Sequence, residues 1–149
     1  MPEISFYQLT KSEFRKALPS LLEKVLESGK HAVLLAANED RVKEIDNFLW
    51  TFSTNRFIPH GTRADKYPED QPVYITTSEE NPNKSEILVI VDGKQPEFIK
   101  DFSRTLDIFD GNDENEVKAA RARWKSYADK KYTLTYWQQD DEGKWQKNI

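Results

Sequence analysis

The sequence predicts one α/β domain over residues 1–149, with three layers and a mostly parallel central sheet. Residues 31–36 and 87–91 are continuous apolar runs, which are typical of strands buried on both faces of a parallel sheet. Segments with helical periodicity alternate with these runs, as they do in βαβ units. A chain of 149 residues that is 37% hydrophobic and 32% charged suits a single domain with a well-solvated surface.

The first strand and the first helix are predicted from hydrophobic periodicity and from the positions of proline and glycine. Residues 4–9 are rich in β-branched and aromatic side chains, so they predict the first strand. Residues 11–18 are expected to form a turn or a helical lead-in, because Pro19 suits the first position of a helix. The apolar stripe of that helix ends before Gly29, a residue suited to follow a helix end.

The second strand, residues 31–36, leads into a helix that Asn38 or Asp40 can cap. The remaining predicted elements, in order, are a loop at 61–71, a strand at 73–76, a turn at 78–85, a strand at 87–91, a helix at 96–104, a strand at 105–109, a helix at 114–130 and a strand at 132–138. The turn at 110–113 supplies an N-cap for the last helix. The tail is polar apart from Trp145.

An unusual excess of apolar residues occupies residues 44–61. Its helical part has an apolar stripe formed by Ile45, Phe48, Leu49 and Phe52. Residues 53–55 break the helix, yet Phe57, Ile58 and Pro59 follow at once, and Trp50 lies off the stripe. These side chains either pack under their own loop or form an exposed patch that docks another protein, with Trp and Phe as anchors.

The usual signatures of catalysis and cofactor binding are missing from the sequence. There is no glycine-rich phosphate loop and no nucleophile elbow, and with no cysteine and only His31 and His60 we expect no metal site and no cofactor. Asp92, at the end of a buried strand, leaves one enzymatic alternative: a small α/β hydrolase that uses carboxylates and a metal. The net charge of −4 argues against general nucleic-acid binding.

The last helix carries a stripe of cations. Lys118, Arg121 and Lys125 border an apolar face that should pack on the sheet, and Arg123 is predicted to lie away from that face. The apolar face comprises Val117, Ala120, Trp124, Tyr127 and Ala128. The stripe is either a solvated flank, a ledge for a short acidic peptide with an apolar end, or a site for single-stranded nucleic acid.

Several of these segments together resemble the chi subunit of bacterial DNA polymerase III. The resemblance rests on L-W at 49–50 with F-I-P-H at 57–60, on A-R-A-R-W-K-S-Y at 120–127, and on L-T-Y-W-Q-Q at 134–139. It covers nearly the whole chain. It implies a nucleotide-binding-like fold without nucleotide and a non-catalytic accessory subunit of the clamp loader in DNA replication. The absence of cysteine separately suits the reducing cytoplasm.

The resemblance also implies two partners. Trp50, Phe57, Ile58 and Pro59 match a surface that binds the psi subunit. Arg121 and Lys125 match a surface that binds the acidic C-terminal tail of the single-stranded-DNA-binding protein. Where the family carries a further basic residue, this chain has Val117, with Lys118 beside it. Phe109 and Ile108 are expected to line a slot for the terminal Phe of the tail, and acidic residues at the helix start are expected to weaken the site. Those acidic residues are Asp110, Asp113, Glu114 and Glu116.

Overall fold

A computed structural model of the chain describes residues 2–53 and 56–148. The helices are α1 (Phe14–Glu27), α2 (Glu39–Thr51) and α3 (Glu114–Asp129), with short 3-10 turns at Pro68–Asp70 and Glu97–Asp101. The strands are β1 (Glu3–Leu9), β2 (Ala32–Leu35), β3 (His60–Thr62), β4 (Val73–Thr76), β5 (Ile87–Ile90), β6 (Arg104–Asp110), β7 (Thr133–Gln139) and β8 (Trp145–Lys147).

All eight strands form one sheet in the order β3-β4-β2-β5-β6-β1-β7-β8. Every neighbouring pair is parallel except β7 and β8, which are antiparallel. Leu88, in the middle of β5, lies between Val33 of β2 and Thr105 of β6. The predicted, mostly parallel sheet is confirmed.

Two hydrophobic clusters cover the two faces of this sheet. On one face α1 and α2 pack against alternate strand residues such as Leu34 and Val89. On the other face α3 and the Glu97–Asp101 turn pack against the intervening residues, such as Val33 and Leu88. Because successive side chains of a strand point to opposite faces, the continuous apolar runs serve both clusters at once. The predicted three-layer α/β fold is confirmed.

The prediction for α1 is right at its end and wrong at its start. Gly29 follows the helix with φ of +81°, and its N–H donates to the Leu26 carbonyl oxygen, as in a helix-terminating Schellman turn. The helix begins at Phe14, so Pro19 lies inside it rather than at its first position. Proline removes the hydrogen bond to the Arg15 carbonyl oxygen. Burial of apolar residues on both sides of Pro19 outweighs that loss.

The helix predicted at 96–104 is wrong. Only Glu97–Asp101 is helical, as a 3-10 turn, and Phe102 is already extended, with φ of −110° and ψ of 145°. Arg104 belongs to the sheet, where it lies between Glu3 and Ile87. Pairing with two neighbouring strands therefore overrides the helical periodicity of this segment.

The loop predicted at 61–71 begins instead with a strand. β3 is parallel to β4, and His60, Gly61 and Thr62 are all buried. The polar side chains in this strand find partners nearby: Thr62 and its backbone N–H donate to the Asp65 carboxylate. The helix break predicted at 53–55 falls partly on Thr54 and Asn55, which lie outside the described residues.

Two N-caps confirm local predictions, and the tail adds a strand. Asn38 accepts the Arg41 N–H at the start of α2, and Asp113 accepts two N–H groups at the start of α3. In the tail, β8 pairs with β7, and Trp145 packs edge-on against Tyr7 with ring centroids 5.0 Å apart.

None of the helices among the described residues has the length and apolar character needed to span a membrane.

Candidate protein-interaction surfaces

The excess of apolar residues around the end of α2 forms an exposed cluster. Trp50 is 56% exposed and Phe57 is 62% exposed, and their ring centroids are 5.5 Å apart. The Trp50 ring also lies 4.8 Å from the ring of His60, which is buried, and Pro59 alongside is half-buried. Trp50, Phe57 and Pro59 are called the aromatic patch below. Large aromatic side chains left in water next to one another are typical of a docking site.

Ile58 does not belong to this surface, because its side chain is fully buried. In an extended segment, neighbouring side chains point in opposite directions, so the outward Phe57 places Ile58 in the core against α2. The Ile58 carbonyl oxygen lies 2.7 Å from Nδ1 of His60, and Nε2 of that ring lies 2.9 Å from Oδ1 of Asp46. These contacts fix the segment to α2 and hold Phe57 outward.

The neighbouring residues Phe57 and Ile58 should respond differently to truncation. We expect Ile58→Ala to lower the free energy of unfolding by about 2–5 kcal/mol, because it leaves a cavity in the core. Phe57→Ala should change it by only about 0.5 kcal/mol, the usual range for an exposed site. Urea denaturation of both variants measures the difference. Equal losses would show that Phe57 is part of the core.

The cations of the last helix form a second surface. Lys118, Arg121 and Lys125, the basic stripe, are exposed and form no salt bridge within the described part of the chain. Beside them lie the half-buried rings of Trp124 and Tyr136, with centroids 5.7 Å apart. Burial raises the pKa of Tyr136, and the charge of Arg121 opposes that rise.

The apolar residues beside the stripe differ from those predicted. Phe109 is 3% exposed, and its ring packs edge-on against Phe6 and Tyr136 with centroid distances of 6.3 Å. Phe109 therefore supports Tyr136 from beneath and offers no slot beside the stripe. Ile108 lies in the cluster on the opposite face of the sheet.

Trp124 and Tyr136 are instead the aromatic rings next to the cations, and they are called the aromatic floor below. Trp124, predicted to face the sheet, does pack edge-on against Phe6 of β1 with ring centroids 5.4 Å apart, whereas Tyr136 is not among the predicted site residues. The alternation of the strand predicted at 132–138 was the available signal, because it places Tyr136 on one face together with Tyr132 and Leu134.

Arg123 corrects the predicted orientation of the last helix. It is 6% exposed and donates two hydrogen bonds to Asp107, from Nε at 2.8 Å and from Nη2 at 2.9 Å. Asp107 is fully buried; burial raises its pKa, and the Arg123 guanidinium opposes that rise. The helix is turned so that Arg123 faces the sheet, which leaves Ala128, predicted to be buried, exposed.

A cleft of about 780 Å³ opens at the carboxyl ends of β1, β2, β5 and β6, where open α/β sheets commonly bind ligands. Its lining includes the carboxylates Asp40, Glu44, Asp92, Asp110 and Glu116. Burial raises the pKa of Glu116, the hydrogen bond from the Asp110 backbone N–H opposes this rise, and the charges of the neighbouring carboxylates add to it.

The hydrolase alternative depends on Asp92 in this cleft. Asp92 accepts the Ala37 N–H at 2.8 Å with one oxygen and Nε of Arg41 at 3.0 Å with the other. Among residues 2–53 and 56–148, no three His, Cys, Asp or Glu side chains are grouped so that they can hold a metal ion. Asp92 is thus engaged by a backbone N–H and by Arg41 in a cleft that it shares with four other carboxylates.

Comparison with known proteins gives a consistent result. The family described as "DNA polymerase III chi subunit, HolC" matches residues 1–135. The probable DNA polymerase III subunit chi of Rickettsia prowazekii is 35% identical over 117 residues, which are 74% of this chain and 71% of that protein. DNA polymerase III subunit chi of Pseudomonas aeruginosa is 27% identical over 138 residues, which are 90% of this chain and 94% of that protein.

Proposed function

Because the chain belongs to the family of DNA polymerase III chi subunits, which are accessory subunits in DNA replication, we propose that it links the clamp loader to single-stranded-DNA-binding protein. In this proposal the basic stripe and the aromatic floor hold the acidic C-terminal tail of that protein, and the aromatic patch holds the psi subunit. The chain acts in the cytoplasm by binding alone, without catalysis or a cofactor.

The observation that supports the tail site is that exposed cations lie beside two half-buried aromatic rings. Arg121 and Lys125 have no carboxylate partner within the described residues, so binding an acidic peptide breaks no existing ion pair. Charge-assisted hydrogen bonds are among the stronger contacts in proteins. Trp124 and Tyr136 provide a surface on which an apolar C-terminal side chain can pack.

The acidic start of α3 sets a direction for the bound tail. Asp113 is occupied as the N-cap, and Glu114 and Glu116 lie in the first turn. These carboxylates repel an acidic peptide, whereas Arg121 and Lys125 lie further along the helix, about one and a half turns or more beyond Glu116. The acidic residues of the tail should therefore lie toward the C-terminal half of α3.

The placement of the two surfaces supports a linking role. The aromatic patch lies at the end of α2, which packs on one face of the sheet. The basic stripe lies on α3, which packs on the other face. Two proteins can therefore bind at the same time, as a link between the clamp loader and the single-stranded-DNA-binding protein requires.

The tail site is tested with a synthetic acidic peptide that ends in Phe. We expect Arg121→Ala to weaken its binding about tenfold or more, because one charge-assisted contact is worth about 1.5–3 kcal/mol. Lys125→Ala should have a similar or smaller effect. Isothermal titration calorimetry measures both, and added salt should weaken binding to the unmodified protein because it screens exposed charges.

Lys43→Ala is the matched control, because this exposed lysine lies on α2 and away from the stripe. A peptide without the final Phe should lose nearly as much affinity as the Arg121→Ala variant loses. If the double variant of Arg121 and Lys125 binds the peptide as well as the unmodified protein does, the stripe is a solvated flank. Tight binding of a single-stranded oligonucleotide without a partner would instead favour direct nucleic-acid binding.

A further inference from the structure

A second, smaller pocket lies at the edge of the sheet opposite the cleft. It encloses about 210 Å³ between the C-terminal end of α1 and the first residues of β5 and β6. Its apolar part is formed by Leu21, Val25, Ile87 and Leu106, and its polar part by Tyr7, Lys24, Ser28, Lys30 and Arg104. Three cations thus line one small pocket, and no carboxylate is among the lining residues that the structure describes.

Arg104 is held in place by neutral groups. Its Nε and Nη2 donate to the Ser5 hydroxyl at 3.2 and 3.0 Å, and Nη2 also donates to the Tyr7 hydroxyl at 2.9 Å. A guanidinium has five N–H donors, and the hydrogen bonds that Arg104 makes within residues 2–53 and 56–148 use Nε and Nη2, which leaves the two donors on Nη1. Oε1 of Glu3 lies 4.0 Å from Nε of Arg104, at the limit of an ion pair and beyond hydrogen-bond distance, and both side chains are partly exposed. Glu3 therefore offsets part of the charge of Arg104, while the Ser5 and Tyr7 hydroxyls fix its orientation.

The carbonyl groups at the C-terminal end of α1 do not neutralise the charges of Lys24 and Lys30. Its last carbonyl groups already accept backbone N–H groups: Lys30 donates to Val25, and Ser28 donates to Lys24 and Val25. The helix dipole places roughly half a negative charge at this end. Lys24, Lys30 and Arg104 together carry three positive charges, and the half charge of the helix end and the one carboxylate of Glu3 offset only part of them, so the pocket stays positive.

We infer that this pocket binds a small organic anion, a phosphate or carboxylate group carried on an apolar body. The anionic group is recognised by Arg104, Lys24 and Lys30, since Nη1 of Arg104 can donate to one oxygen of either group and the two ammonium groups supply further donors. The apolar body packs on Leu21 and Val25 of α1. The pocket lies on the α1 face of the sheet, so it is separate from the basic stripe on α3.

The test is a titration of the full chain with four small molecules, in which amide chemical shifts measured by NMR report binding. The four molecules differ in whether they carry an anion, a ring or both, so they test the polar and apolar parts of the pocket separately. Phenyl phosphate and benzoate carry an anion and a ring, inorganic phosphate carries only the anion, and benzyl alcohol carries only the ring. We expect both ring-bearing anions to bind more tightly than inorganic phosphate, and benzyl alcohol to bind least. The ratio of the two ring-bearing anions shows which anionic group the pocket prefers.

The variants locate the site and keep the test independent of folding. Lys24→Gln with Lys30→Gln should weaken phenyl phosphate about tenfold, and the fold should tolerate both changes because Lys24 is exposed and Lys30 is only half-buried. The double variant of Arg121 and Lys125 should leave these shifts unchanged. The inference is overturned if phenyl phosphate gives no saturable shift around Leu21 and Val25, or if the two-lysine variant binds it as well as the unmodified protein does.

Discussion

Replacing Arg123 with methionine should lower the free energy of unfolding by about 3–5 kcal/mol, the usual cost of leaving one charge of a buried ion pair without its partner. Asp107 is fully buried, and both of its oxygens accept hydrogen bonds from Arg123. For a domain of this size the melting temperature should fall on the order of 10 °C. Thermal and urea denaturation measure the two quantities.

The pH dependence separates a lost ion pair from a simple loss of packing. Without Arg123, burial alone acts on Asp107 and raises its pKa in the folded state. A carboxyl group whose pKa is higher in the folded state binds a proton more readily there, so lowering the pH stabilises the variant relative to the unmodified protein. The loss should therefore be largest at neutral pH and smaller in acid.

A double variant provides the control for this result. Asp107→Leu combined with Arg123→Met removes both charges, and such apolar replacements of a buried pair are often neutral or stabilising. We expect the double variant to recover most of the stability that Arg123→Met loses. A loss of less than about 1 kcal/mol in the single variant would contradict a structural role for the pair.

Truncating the aromatic patch should abolish most binding to the psi subunit while leaving the fold intact. We expect Trp50→Ala and Phe57→Ala each to weaken the complex by about 2 kcal/mol or more, roughly thirtyfold, as aromatic anchors of interfaces do. The exposure of Trp50 and Phe57, 56% and 62%, predicts little change in unfolding. Surface plasmon resonance with immobilised psi measures the affinity, and thermal unfolding checks the fold.

Tyr67 offers a matched control for the patch. It is 64% exposed, so Tyr67→Ala removes an exposed aromatic ring of comparable accessibility outside the Trp50–Phe57 contact. Binding of psi should be unchanged in that variant. Equal binding by all three variants and the unmodified protein would exclude the patch as the psi surface, and a large fall in the melting temperature of Trp50→Ala would assign Trp50 to the core.

The sequence by itself determined the features that depend on neighbouring residues. The continuous apolar runs gave strands β2 and β5, because burial on both faces leaves a pattern within each segment. Asn38 and Asp113 were recognisable as N-caps and Gly29 as a helix terminator, because each satisfies backbone groups a few residues away. The basic stripe was recognisable from helical spacing, and the motifs at 120–127 and 134–139 pointed to the family.

Tertiary structure decided the features whose partners are distant in sequence. Arg123 turns α3 toward the sheet because Asp107, on another element, takes two of its hydrogen bonds. Pairing with β4 places residues 60–62 in a strand, although part of this segment was predicted to be a loop. Packing of apolar residues on both sides keeps Pro19 within α1. Phe57 is outward and Ile58 inward because the segment is anchored through His60 to Asp46 on α2. Such contacts select one arrangement among several that local periodicity allows, because burial and pairing across the fold outweigh local preference.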